Sequence, residues 1–416
     1  MRMMKSIAFS RLFFLLTFIG SFFFGVGSSM AASSAWSDEY LSPSLPPPAV
    51  TLRIVGPEET VLSADAPHCK DVDEHGERMD VPDAPLRAVR WGGEILALAA
   101  HYNNLPYFSR DLKTLERRGC DNMLRSAINP DPAQFSDHEW VVSHYTKGNR
   151  LFGLIHNEYW GGLYDDECRK RLGKKVPWAS VCLYANLTGA VSNDGRSFDR
   201  LGVVAASSYR FASDMNRSGI RDPSNLFMNP KDGHVYMMAI VDGYRKQAGG
   251  ICLFRTKDPF NEPWYAWDGH GFSYKTGSPY ERPPSAKEEF CKPVSGLNIT
   301  TVVHHKAADV FIALIFDERI KPGGIFYRTS ADLINWSRAE FLMEAHDFHF
   351  WKKSGAQAPI VYPSLIDPES TSANFDTVHD RPYLYYQRAR VRHGQALGRE
   401  RDIVRRLVSV SMLNKN

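Results

Sequence analysis

The feature that most constrains this chain is a sheet unit that occurs five times. Its first copy is Ala84 to Arg117, in which an inner strand from Leu86 to Arg90 meets a Gly92-Gly93 turn. An apolar strand follows from Ile95 to Ala100, then a polar loop from His101 to Asn104, then a strand ending in Ser109-Arg110-Asp111-Leu112. Apolar second strands recur as RLFGLIHNEY (150–159), HVYMMAIVDG (234–243), DVFIALIFDE (309–318) and RPYLYYQRAR (381–390). Three of them lead to a third strand that closes on a Ser/Thr-x-Asp turn: AVSNDGRSF (190–198), LFRTKDPFNEPW (253–264) and FYRTSADLINW (326–336). Long apolar helical stripes are almost absent. Diverged sheet units repeated every ~60 to 80 residues predict an all-β radial architecture, a five-bladed β-propeller. The segment Thr51 to Val55 is placed to supply its closing strand. A pair of β-sandwiches is the runner-up, disfavoured because the glycine turn and the Ser/Thr-x-Asp turn return in register.

The N-terminus reads as an address. Arg2, Lys5 and Arg11 form a basic region, Leu12 to Val26 an apolar core, and Ser29-Met30-Ala31 fits a small-x-small cleavage rule. Residues 1–32 are therefore expected to be a secretory signal peptide, 33–56 a Pro/Ser-rich leader and 57–416 a single propeller domain. No later run approaches the ~20 apolar residues of a membrane span, so none is expected after cleavage, and the protein is expected to be secreted or periplasmic. Formal net charge is +3 with scattered basic residues, which gives no nucleic-acid footprint. Six cysteines in an exported chain favour disulfides. Fifteen pairings are open; proximity favours Cys69 with Cys120, Cys168 with Cys182, and Cys252 with Cys291. No Cys/His cluster has metal-ligand spacing. No cofactor is expected, with a structural calcium in the central channel the one option held open.

In a propeller the loops entering the inner strands form a funnel, and polar residues there are the informative ones. They are Asp83 and Arg87 in the first unit, His138, Glu139 and Trp140 in the second, Arg221, Asp222 and Asn225 in the third, and Tyr362 and Asp367 in the fifth. Loops leaving the second strands add His101, His156, Asn157, Glu158 and Tyr159. Convergent carboxylates with aromatics and amides suit a sugar pocket. One carboxyl donates a proton to the glycosidic oxygen and another activates water or attacks the anomeric carbon. Asp83, Asp222 and one of Glu158 or Glu139 are the candidate catalytic carboxylates, and the remaining residues are candidate sugar contacts. Asp111, Asp194, Asp258 and Asp332 recur in the turns of four units, and repetition argues for structure. GxGxxG, HExxH and GxSxG motifs are absent.

The stretch GIRDPSNLFMNPKDGHVYMMA (219–239) and the blade ending FYRTSADLINW resemble the five-bladed propeller glycoside hydrolases of the arabinanase, β-xylosidase, levanase and invertase group. That resemblance implies a fold and three acidic residues on inner strands of successive blades. Asp83 matches the base or nucleophile and Asp222 the orienting carboxylate. The family's acid is a glutamate on a following blade, where this chain has Asn298 and Thr300, leaving Glu158 or Glu139 for the role. The expected function is hydrolysis of an oligo- or polysaccharide. A carbohydrate-binding propeller and a protein-interaction propeller are the alternatives.

Overall fold

The computed structural model describes residues 41–66, 69, 80–99, 101–172, 182–283 and 285–412; the expected signal peptide lies outside them. Five antiparallel meanders follow one another. The chain opens with β1 (Val50–Leu62), and blade one is β2 (Arg87–Trp91), β3 (Glu94–Leu98) and β4 (Tyr107–Ser109). Blade two is β5 (Glu139–Lys147), β6 (Arg150–Trp160), β7 (Leu183–Ser192) and β8 (Asp199–Ala205). A linking strand, β9 (Arg217–Arg221), precedes blade three: β10 (Phe227–Met228), β11 (Val235–Val241), β12 (Gly250–Thr256), β13 (Tyr265–Ala266) and β14 (Tyr274–Lys275). Blade four is β15 (Ile299–His305), β16 (Val310–Asp317), β17 (Gly324–Ser330) and β18 (Glu340–Glu344). Blade five is β19 (Ile360–Ile366), β21 (Tyr383–Arg392) and β22 (Gln395–Met412), with β20 (Thr377–Val378) pairing in parallel with β15. The outermost strand of blade five is β1, antiparallel to β22 from Val50↔Met412 to Leu62↔Ile403. The two ends of the chain thus close the ring, and β1 runs through the 56/57 boundary that composition suggested.

The core lies between blades and accounts for the closure. Side chains alternate faces along a strand, so each blade must cover two apolar faces, as its near-continuous apolar runs require. On β11, Met237 and Ala239 pack toward blade two with Phe152, Leu154 and Leu187. Its other face, Tyr236 and Met238, packs toward blade four with Phe311, Ala313 and Ile315. Blade four meets blade five through Ile312 and Leu314 against Leu384 and Tyr386. Blade five meets blade one through Ile366 and Tyr385 against Leu86 and Ile95. Blade one meets blade two through Leu96 and Leu98 against Leu151 and Ile155. Five interfaces for five blades make a closed five-bladed β-propeller. Each fully buried Leu, Ile or Phe contributes about 1.5–3 kcal/mol, spread round the ring rather than held in one core.

The recurring turn has one chemistry. Ser109 Oγ accepts from Leu112 N–H at 2.8 Å, Ser192 Oγ from Gly195 N–H at 2.9 Å, and Ser330 Oγ from Leu333 N–H at 2.9 Å. The aspartate two residues on accepts from the next N–H groups: Asp111 from Lys113 at 2.8 Å, Asp194 from Arg196 at 2.7 Å, Asp258 from Phe260 at 3.0 Å and Asp332 from Asn335 at 2.7 Å. Three disulfides join Cys69 to Cys120, Cys168 to Cys182 and Cys252 to Cys291. No helix among the described residues is long and apolar enough to cross a membrane.

Candidate active site

One row across the sheets sets the site. Glu158 on β6 lies opposite Ala185 on β7, and Ala185 lies opposite Gly219 on β9, whose parallel pairing ties blade two to blade three. Gly219 has φ +112°, and a Cβ there would stand 1.9 Å from the Ala185 carbonyl oxygen. Only glycine permits this approach, and it brings Arg217, Arg221 and Asp222 against the end of β6.

Because side chains alternate, β6 sends His156, Glu158 and Trp160 to one face and Asn157 and Tyr159 to the other. On the first face the buried His156 stands between two carboxylates. Its Nε2 is 3.5 Å from Glu158 Oε1 and its Nδ1 3.6 Å from Asp222 Oδ1. Burial is the largest influence on this imidazole and holds it below its ordinary pKa, against the pull of Glu158 and Asp222. Glu158 Oε2 accepts from Trp160 Nε1–H at 3.0 Å. Arg217 Nη2 lies 4.0 Å from Glu158 and 3.8 Å from Asp222, so one guanidinium faces both carboxylates.

Asp222 has φ +46°, a left-handed conformation that aspartate tolerates better than most residues. Burial alone would raise its pKa, but Arg221, His156 and Arg217 outweigh it and hold the carboxyl below the ordinary range. Arg221 bridges Asp222 to Asp242, with Nε 3.1 Å from Asp242 Oδ2.

Asp83, at the entrance to β2, forms the opposite wall. Arg401 Nη1 donates to its Oδ1 at 2.6 Å, Tyr362 Oη–H donates to the same oxygen at 3.2 Å, and His101 Nε2 is 3.6 Å from Oδ2. Burial and then Asp83 push the Tyr362 phenol well above its ordinary pKa, and Asp222 adds to the effect, so this tyrosine feels both carboxylates. The walls join through rings: Trp140 lies 6.0 Å from His101 and 5.8 Å from His156 between centroids. His138 stacks on Trp160 at 3.4 Å. Asp83, His101, Trp140, His156, Glu158, Arg221, Asp222 and Tyr362 are thus brought together, with His138 behind Trp160.

Other candidates are placed elsewhere. Glu139 is fully buried, with Arg200 Nε donating to Oε1 at 2.8 Å and Ala127 N–H to Oε2 at 3.1 Å; it is a scaffold ion pair. Asn157 donates to Thr188 Oγ1 at 3.4 Å, and Tyr159 packs on Phe211 and Tyr164, both on the far face of β6. The Asn225 side-chain amide bonds both ways with Val302, at 2.8 Å each, pinning blade three to blade four. Asp367, at the opposite end of β19 from Tyr362, caps Glu369 N–H at 2.9 Å and His379 N–H at 2.8 Å. Arg87 crosses the channel to blade four, donating to Thr300 O at 2.6 Å and Thr301 Oγ1 at 3.1 Å.

The sequence reading passed over Arg217, Asp242, Arg401 and Glu318. Asp242 ends an apolar second strand as His156 to Glu158 do, and Arg399-Glu400-Arg401-Asp402 alternates charge ahead of an apolar run; both were readable signals. Glu318 follows β16, and Asp347 N–H donates to it at 3.1 Å. Burial first, and Asp347 second, push its carboxyl up to about 8. The next residue, Phe348, lies under Arg401 at 5.0 Å.

No known protein family's profile matches the chain, and no curated protein does. Solved structures similar to it include Zg3597, a family 117 glycoside hydrolase from the marine bacterium Zobellia galactanivorans, at 12% identity and TM-score 0.46 over 88% of this chain and 92% of that one. The endo-arabinase of Bacteroides thetaiotaomicron is similar at 15% identity and TM-score 0.40, over 82% and 99%. BlXynB of Bacillus licheniformis, a family 43 glycoside hydrolase protein, is similar at 13% identity and TM-score 0.43, over 83% and 53%.

Proposed function

We propose that this chain is an exported glycan-active propeller that hydrolyses glycosidic bonds, with Asp83 as base or nucleophile, Asp222 as orienting carboxylate and Glu158 as acid. One observation carries the reading: Glu158 and Asp222 flank His156 and Asp83 flanks His101, and the two imidazoles lie 5.8 and 6.0 Å from the same indole, Trp140. Indole and imidazole faces suit the apolar faces of a sugar, while Arg and His donors suit its hydroxyls. Arg401 and Tyr362 orient Asp83, and the Asp222–Arg221–Asp242 chain fixes Asp222 as an ionised group that shapes the field around Glu158 and His156. Three disulfides fit an oxidising compartment.

A second assignment of the acid is favoured by the environment of Glu318. A carboxyl held protonated near neutral pH is what proton donation to a leaving group needs, and burial and Asp347 raise Glu318 in that direction.

The test is reducing-end release from arabinan, xylan, fructan and galactan by the wild type beside Asp83→Asn, Glu158→Gln and Glu318→Gln. Loss of about 10²- to 10⁴-fold in Asp83→Asn, the usual worth of a general acid or base, supports the hydrolase reading. The glutamate variant that loses activity with its fold intact is the acid. Binding without release by the wild type would move the protein to glycan recognition; neither binding nor release would sink the glycan reading altogether.

A further inference from the structure

The five inner strands surround a small cavity of about 20 Å³, lined by Arg87 from β2, Ser143 and His144 from β5, Leu226 beside β10, Thr301 from β15 and Leu365 from β19. Such a volume holds about one water-sized particle. Its lining contains no carboxylate.

Arg87 is the anomaly. It is buried, and no charged neighbour among the described residues acts on it. Burial alone acts on its pKa, lowering it to about 9; no neighbouring anion raises it back. Its Nη groups are used by Thr300 O and Thr301 Oγ1, while its Nε–H is buried with no acceptor. His144 Nε2, on the same cavity, is likewise buried without a partner. Asp376, next to the lining residue Phe375, is turned away, its Oδ2 accepting from Met228 N–H at 2.8 Å. A buried, uncompensated guanidinium is destabilising and cannot discharge itself by losing its proton near neutral pH.

Calcium does not fit here. It takes six to eight oxygen ligands with carboxylates among them, and this lining offers a guanidinium instead. We propose that the central cavity is a binding site for one small monovalent anion, such as chloride, held by Arg87 Nε–H. The anion supplies the missing counter-charge at the point where all five blades meet, so its binding stabilises the closed ring by mass action.

The experiment is thermal unfolding of the exported chain at constant ionic strength while gluconate, too large for the cavity, is exchanged for bromide in the millimolar range. Crystals soaked in bromide are examined for anomalous scattering alongside it. The expected result is a saturable rise in the unfolding midpoint with bromide and one anomalous peak within hydrogen-bond reach of Arg87 Nε. Arg87→Met is expected to unfold at the same temperature in both anions. Equal wild-type midpoints, a cavity with no anomalous peak, or a bromide response that survives in Arg87→Met would each overturn the proposal. If Arg87→Met fails to fold, the wild-type crystal decides.

Discussion

Asp194 and Asp222 are both held below the ordinary carboxylate range, for opposite reasons. Asp194 sits exposed in a blade turn, and the N–H groups of Arg196 and Ser197 bring it to about 2. Asp222 is buried against that tendency, and arginines and a histidine from two strands keep it ionised. The first rests on a turn that a four-residue sequence carries with it, and the same hydrogen bonds recur at Asp111, Asp258 and Asp332. The second needs β6, β7 and β9 in register, and occurs once. A pKa shift that tertiary structure produces, and not the turn itself, is the kind that singles out a candidate site.

The sharpest way to break that comparison is Gly219→Ala. If the site depends on the β7–β9 approach, a methyl 1.9 Å from the Ala185 carbonyl, at a φ that disfavours side chains, must push the strands apart. We expect a loss of several kcal/mol, strain alone accounting for ~1–3, together with loss of glycan turnover. A Gly233→Ala control, also at positive φ but with open space beyond it, is expected to cost less and leave turnover intact. Equal effects in the two variants, measured by denaturant unfolding and reducing-end release, would show that the close approach carries no special weight.

A second contrast is between carboxyls with opposite shifts. Glu318 is raised to about 8, so the folded state keeps a proton that the unfolded chain releases near the ordinary glutamate pKa. Its contribution is therefore most favourable below that value and declines as pH rises toward about 8. Glu318→Gln, which mimics the protonated form, is expected to match the wild type near pH 5 and to be more stable above pH 8. Denaturant midpoints across that range check it; a variant less stable than the wild type at high pH would mean that Glu318 is ionised and usefully paired.

These contrasts also explain what the sequence revealed. The ring, its closing strand and the turn chemistry were legible because each rests on local pattern: period-two apolar runs, Gly-Gly turns and Ser/Thr-x-Asp caps. Asp83, Asp222, Glu158, His156 and Trp140 were legible as polar or aromatic residues at strand ends. Their partners were not. Arg401 reaches Asp83 across 318 residues, and no local pattern encodes that pairing. Glu139 misled for the same reason. It flanks Trp140 in sequence, but alternation turns it toward Arg200 on β8. Arg87 and Asn225 were read as pocket residues because they sit near the funnel entrance, whereas one turns into the channel and the other clamps two blades.

The mildest perturbation tests the claim that repeated aspartates only build turns. Asp332 accepts from Ile334 N–H at 2.9 Å and Asn335 N–H at 2.7 Å, while Ser330 holds the remaining N–H of the turn. Asp332→Ala removes one set of acceptors at a partly exposed site where water replaces them, so the expected loss is about 1 kcal/mol, with glycan turnover unchanged. The other turns repeat the arrangement independently and lie on separate blades, so a second such change, Asp194→Ala, is expected to add its own small cost without coupling. A drop in turnover from either variant, at temperatures where both are folded, would show that these turns communicate with the funnel, and the division between repeated and singular carboxylates would fail.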